Sequence, residues 1–236
     1  MSLDPSTESV TTRKLQRVGS GTYTVSVPKE WADAHRLEAG NTVHLYTHTD
    51  GSIVVRSAER DGGSLESVRL EVDGTSSEVL RRTLRAAYAA GFAEVTLVPE
   101  ESFTSEARRA VRSTATTLVG AAVSVEREDE VVVRSLLDTA DVSVRQSVVQ
   151  LQFVALSIHR RATEAFLAAD AGAHAGLEEH YEEATRLFEM VSRHFDRSLI
   201  SIRELDRLGT SRPALFDYHE TARRLDRIAE RGVRIA

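Results

Sequence analysis

The chain contains no cysteine, which removes disulfides and thiolate metal sites from consideration. Any metal would have to sit on carboxylates or on some of the eight histidines, and a reducing cytoplasm is the expected compartment. No apolar run approaches the roughly 18 residues of a membrane span. The leader MSLDPSTESV lacks the basic flank and apolar stretch of a signal peptide. A cytoplasmic protein with no membrane insertion is therefore expected. Catalytic signatures are missing too: there is no Gly-rich phosphate loop, no nucleophile elbow and no metalloprotease helix, so no enzyme is expected.

Lysine is almost absent. Lys14 and Lys29 are the only two, and arginine carries the rest of the positive charge. Acid excess with lysine avoidance resembles a haloarchaeal proteome, although a GC-rich genome would also favour arginine over lysine. The charge is uneven. Between Thr12 and Ser57 six basic residues face four acidic ones, a net of +2, whereas the other 24 basic and 32 acidic residues leave −8 elsewhere. An anionic partner would meet the N-terminal segment.

The 236 residues, 41% of them hydrophobic, suffice for several small domains. From Arg13 to Arg56 the periodicity is mostly two: Tyr23, Val25 and Val27 alternate with Thr22, Thr24 and Ser26, and Val43, Leu45, Ile53 and Val55 repeat the pattern. Pro28 suits a helix start, Gly40 a turn, and Asp50-Gly51 a type I′ hairpin. Two hairpins and a helical turn make too small a core to stand alone, so this module should dimerise. "ERDGGS" is a break. A βαβαββ grammar follows, with Thr75 and Glu78 as a capping box and Gly91 and Gly120 as helix stops. From Asp138 onward only helices are expected. The first carries Val144, Val148, Leu151, Ala155, Ile158, Ala162 and Ala165; the second runs from Leu177 through Ile202 and Leu205 to Gly209; the third, from Pro213, carries Phe216, Ala222, Leu225, Ala229 and Gly232. The expected division is a flexible leader over 1–11, then domains over 12–58, 64–136 and 138–236.

"GSGTYTVSVPKEW" followed by "LEAGNTVHLY" resembles the AbrB/MazE/SpoVT family of swapped-hairpin regulators, with Asn41 where that family usually has Asp. The resemblance implies a homodimer whose chains exchange hairpins into a β-barrel and present a basic face to DNA. The candidate contacts are Arg13, Lys14, Arg17, Ser20, Thr22 and Lys29. Doubled by a two-fold axis, Arg13, Lys14 and Arg17 could meet phosphates on both strands; the plainer reading is a solvated strand edge. Gly19 and Gly21 would allow a tight loop, and Trp31 reads as core or dimer filler rather than a base-stacking platform.

The helical region, in "LLDTADVSVRQSVVQLQFVALSIHRRATEAFL", "RLFEMVSRHFDRSL" and "SRPALFDYHETARRLDRIAERGVRIA", resembles a PhoU-type bundle, and with the N-terminal match it resembles an archaeal phosphate uptake regulator. The overall expectation is an α+β multidomain chain: a swapped-hairpin barrel, a small α/β domain and an antiparallel three-helix bundle. PhoU-like bundles hold metal through acidic pairs spaced i, i+4, and Asp226 and Glu230 match such a pair, implying a metal ion on the bundle. Tyr181 and Thr185 stand in the corresponding acidic places of the second helix, and a surface ladder of Asp226 and Glu230 with Arg223, Arg224 and Arg227 is the plainer reading. The scattered histidines, His159, His174, His180, His194 and His219, read as helix-surface or loop residues. The leading expectation is a dimeric, DNA-binding transcriptional regulator linked to phosphate uptake. One rival is an adaptor on a phosphate-transporter ATPase subunit, with the barrel only dimerising, and another is an antitoxin.

Overall fold

Short strands and a single helical turn open the chain, where β-branched residues alternate with polar ones and glycines interrupt every few positions. A computed structural model describes residues 12–19, 21–48, 50–58 and 65–235. The leader 1–11, Ser20 and the Glu59–Ser64 break lie outside the described residues. The described part is α+β, with strands at its N-terminal end and several helices at its C-terminal end. Contacts divide the chain into two units, one of Met1–Leu45 with Val55–Glu59 and one of Tyr46–Val54 with Arg60–Ala236.

Strands β1 (Gln16–Val18) and β2 (Thr22–Thr24) form an antiparallel hairpin. After it come helix α1 (Lys29–Ala34), β3 (His44–Thr47) and β4 (Ile53–Arg56), the last two forming a separate two-stranded sheet. The alternating pattern predicts a strand as far as Val27, yet β2 stops at Thr24, the residue opposite Gln16. Among the described residues no further strand pairs with this hairpin, and Val25 and Val27 are exposed. The turn between β3 and β4 is also not the expected type I′, which needs left-handed backbone at both central residues. Gly51 is left-handed at φ 88° and its N–H donates to the His48 carbonyl, but Asp50 is not among the left-handed residues. Asp50 instead accepts from the Ser52 N–H at 2.8 Å, an arrangement in which glycine supplies the bulge position of a three-residue loop.

In the second unit a four-stranded sheet of order β5-β6-β8-β7 joins β5 (Ser67–Val72) parallel to β6 (Glu94–Pro99), and β7 (Ala121–Glu126) and β8 (Val131–Ser135) antiparallel. The expected βαβαββ order is present, with α2 (Ser77–Ala89) and α3 (Ser105–Thr117) between strands. Leu80, Leu84 and Val111 of these helices share one core with Val95, Leu97 and Val131 of the sheet. The cap of α2 is Ser76 rather than Thr75: the Ser76 hydroxyl accepts from Val79 N–H, while Thr75 turns back to donate to Asp73. An acceptor two residues upstream competes for the threonine hydroxyl.

Three long helices, α4 (Val144–Ala168), α5 (His174–Ile200) and α7 (Arg212–Ile235), pack together around Leu151, Ile158, Leu177, Val191, Leu215 and Ala222. All seven expected core residues of α4 are buried. The second helix is not continuous to Gly209. Ser201, extended at φ −103° and ψ 122°, ends α5 and caps a separate short helix α6 (Ile202–Arg207) by accepting from the Glu204 N–H. Phe216 is not core either: it is 53% exposed, its ring 6.4 Å from Phe195 at the rim of the bundle.

The sheet layer and the helices belong to one unit because arginines of α5 cap the end of α2. Arg193 donates to the carbonyls of Tyr88 (2.8 Å) and Phe92 (2.9 Å) and lies over the Tyr88 ring, and Arg197 donates to the Gly91 carbonyl at 2.8 Å. Tyr88 is in the last turn of α2, where its carbonyl also accepts from the Gly91 N–H, and Gly91 and Phe92 follow just past the helix end, at the pole where positive charge is favoured. Arg85 of α2 returns the connection through both oxygens of Glu189.

Candidate nucleic-acid interface

The residues from Thr12 to Lys29 include four cations and no acid. The hairpin turns at Gly19, whose backbone is left-handed at φ 69°. A side chain is rarely tolerated there, which is what a glycine at this loop supplies. The register pairs Gln16 with Thr24, Arg17 with Tyr23 and Val18 with Thr22. Directly opposed residues share a face. Arg17 and Tyr23 thus lie together on one side, while Thr22 joins Val18 on the other. Arg13 and Lys14, just before β1, are exposed, and Arg13 donates to the Thr12 carbonyl. Lys29 is the first residue of α1 and is exposed as well. Ser20 lies outside the described residues.

The candidate set therefore falls on three places: the approach to β1 (Arg13, Lys14), the two faces of the hairpin (Arg17, Thr22) and the start of α1 (Lys29). Tyr23, 65% exposed beside Arg17, belongs with them and was not among the sequence candidates. A loop centred on the Gly-Ser-Gly triplet makes positions 17 and 23 equidistant from its centre, so the signal was in the spacing.

Behind the hairpin, Pro28 precedes α1 without a side-chain cap, and Trp31 is half-buried with its ring 5.1 Å from His35. Arg36 is left-handed at φ 54° and Gly40 at φ 95°, which ends the helix sharply. The Asn41 side-chain oxygen accepts from the Glu38 N–H at 2.7 Å, and the Glu38 carbonyl accepts from the Asn41 N–H at 3.0 Å. An acceptor at this position is all the turn requires, so Asn serves as Asp would. Asp50, on the second hairpin, is held below the usual carboxylate range by the Ser52 hydrogen bonds.

In the bundle, Asp226 and Glu230 lie on α7 and are half-buried. Burial and the neighbouring Glu230 push the Asp226 carboxyl up to about 6, and its Oδ1 is buried without a hydrogen-bond partner among the described residues. Glu230 accepts from Arg234. Tyr181 faces this pair: burial raises its hydroxyl, and the charges of Asp226 and Glu230 add to the effect. Asp226 is thus not part of a solvated ladder. Among the described residues no group of three or more His, Asp or Glu is assembled to hold a metal.

His194 departs from the expectation of a surface position. It is 1% exposed, with Nδ1 2.7 Å from Glu204 Oε1. Glu204 is 2% exposed and is also reached by Arg197 Nε at 3.1 Å and the Thr139 hydroxyl at 3.2 Å. Burial opposes its ionisation, but the His194 hydrogen bond and the Arg197 charge hold its carboxyl below the ordinary value.

Residues 16–62 match the model of the family described as antidote-toxin recognition MazE, bacterial antitoxin. This N-terminal part of the chain is MazE/AbrB-like. Neither the curated proteins nor the solved structures give a match to the chain. Among the described residues no helix is long and apolar enough to cross a membrane.

Proposed function

We propose that the chain is a dimeric, DNA-binding transcriptional regulator linked to phosphate uptake. The observation that carries the DNA-binding part is an acid-free basic stretch, Thr12–Lys29, exposed at its described residues, that runs into the MazE/AbrB-like segment 16–62. Arg13, Lys14, Arg17, Ser20, Thr22 and Lys29 contact DNA, the cations on phosphates and the hydroxyls on phosphate or base edges. Dimerisation is supported by physics: Leu15, Val18, Tyr23, Val25, Leu45 and Ile53 are each more than half exposed, and no residue of α1 is buried. A second copy would cover them, complete the hairpins into a barrel and double the basic patch. The reading assigns the protein no catalytic step.

The phosphate link rests on the resemblance of the helical region to PhoU-type bundles. In this reading the second unit receives the signal or partner, and a metal ion on Asp226 and Glu230 is part of the proposal. Genome-wide occupancy of the tagged protein, in cells grown with and without phosphate, tests it. Discrete peaks that move with phosphate near transport genes support it, and peaks indifferent to phosphate remove the link. Absence of peaks in both conditions overturns DNA binding and favours the adaptor on a transporter ATPase subunit. The matched family's description favours a second reading, an antitoxin; a toxin co-purifying with the chain, encoded beside it, would establish that instead.

A further inference from the structure

Among the described residues between 12 and 58 only Tyr46 and His48 are buried. Tyr46 is the third residue of β3 and His48 follows directly on its last residue; both lie in the segment Tyr46–Val54 that clusters with the second unit. Both are covered by α6. The Arg203 guanidinium lies over the Tyr46 ring, 5.6 Å from its centre, and His48 Nδ1 is 3.0 Å from Asp206 Oδ1. Arg203 and Asp206 are three residues apart and so lie on one side of the helix.

The opposite side of α6 is anchored differently. Ile202 and Leu205 are buried, and Glu204 is locked by His194 and Arg197 of α5 and by Thr139 ahead of α4. The helix has only six residues, is detached from α5 by the extended Ser201, and ends near the left-handed Gly209. It is a small separate element with one side bound to the bundle's buried polar cluster and the other to the tip of a hairpin. Of that hairpin, β3 begins and β4 ends in the N-terminal unit.

We propose that α6 is a coupling element: the Glu204 cluster sets its position, and its position decides whether the β3–β4 tip is held. A change in the bundle that disturbs Glu204 releases Tyr46 and His48 together, because both contacts come from one rigid turn of helix. The tip lies within the MazE/AbrB-like segment 16–62, so its release alters DNA binding; that last step rests on the function proposed above.

Amide hydrogen exchange on the full chain tests the coupling without DNA. The His48 and Gly51 amides donate to the Ser52 and His48 carbonyls and report on the tip. In Glu204→Gln both should exchange at least tenfold faster, with Val95 and Leu97 of β6 unchanged. Faster exchange within α6 with the tip unaltered overturns the proposal. Where Glu204→Gln does not fold, Thr139→Val removes a single donor from the cluster and is judged by the same criterion. Coupling is reciprocal, so Asp206→Asn should speed exchange at Leu208, whose N–H donates to the Glu204 carbonyl; an unaltered Leu208 counts against it. DNA fragments recovered from the occupancy experiment then test the last step. Asp206→Asn should change their affinity at least threefold, and an unchanged affinity with a released tip overturns that step. Wild-type protein that binds no DNA would refute the function proposed above while the exchange result stands.

Discussion

The N-terminal stretch and the α2–α5 junction both carry arginines, but they use them in opposite ways. Arg13 and Lys14 project into solvent, and Arg17 sits on a strand with no buried neighbour on its hairpin. Arg193 is 3% exposed, its donors fastened to two carbonyls and its charge held against the Tyr88 ring. Burial lowers the Arg193 guanidinium to about 10 and raises the Tyr88 hydroxyl to about 12. An arginine left in water costs little and remains available to an anion. One sunk into a core is stable only when its donors are satisfied. The first kind suits a ligand that comes and goes, the second a permanent joint.

That contrast can be broken experimentally. Replacing Arg13, Lys14 and Arg17 together with Ala should leave thermal stability unchanged, while DNA affinity falls by about two to three decades. The salt slope should shrink by about five, for about six phosphate contacts in a dimer. Filter binding across a salt series measures both; a drop in Tm with no change in slope would make these residues structural.

In the second unit, Glu204→Gln should cost about 3 kcal/mol, because it removes the charge that the half-buried Arg197 and the buried His194 are held against, and should lower Tm by roughly 6–12 °C. The pH dependence has a definite sign. Glu204 is held below its ordinary value, so its contribution is present above the ordinary carboxylate range and is lost as pH falls through the lowered value. Acid titration of wild type should show that loss, and the Gln variant should lack it. Calorimetry at several pH values decides.

Gly91→Ala probes the same joint through the backbone. Gly91 is left-handed at φ 101°, and an added Cβ would lie 2.6 Å from Arg197 Cγ. A cost of about 2 kcal/mol is expected, read from denaturant midpoints.

The smallest effect should be stabilising. Asp226 is raised to about 6, so wild type loses stability as pH climbs from about 4 through about 6 and the buried carboxyl ionises. Asp226→Asn should gain about 1 kcal/mol at pH 8, a figure reduced for the group's partial exposure, and nothing at pH 4. A loss at pH 8, with metal released from the wild type alone, would instead support the metal reading.

Much of the architecture was legible in the pattern of residues. The spacing of Val144, Val148, Leu151 and their successors places every one of them in the core of α4, because helical periodicity and burial depend only on positions along one helix. The order of strands and helices between Ser67 and Ser135 was legible for the same reason: alternation and glycine stops are local. The basic hairpin could be picked out by its composition, and its loop by two close glycines.

Contacts between distant segments were not. The carboxylate of Glu204 looks like any surface acid in "SIRELDRL", and His194 like any helix histidine, until α5, α6 and Thr139 converge on one point. Ser201 reads as an ordinary helix residue, yet it is the break that lets Glu204 turn inward. Arg193 and Arg197 look like solvated helix charges until the carbonyls at and just past the end of α2 come within reach. Local order follows from near neighbours and so can be inferred from residue order. Whether a polar side chain is a ligand-facing charge or an internal joint depends on groups about 100 residues away, and folding alone brings them within hydrogen-bond distance.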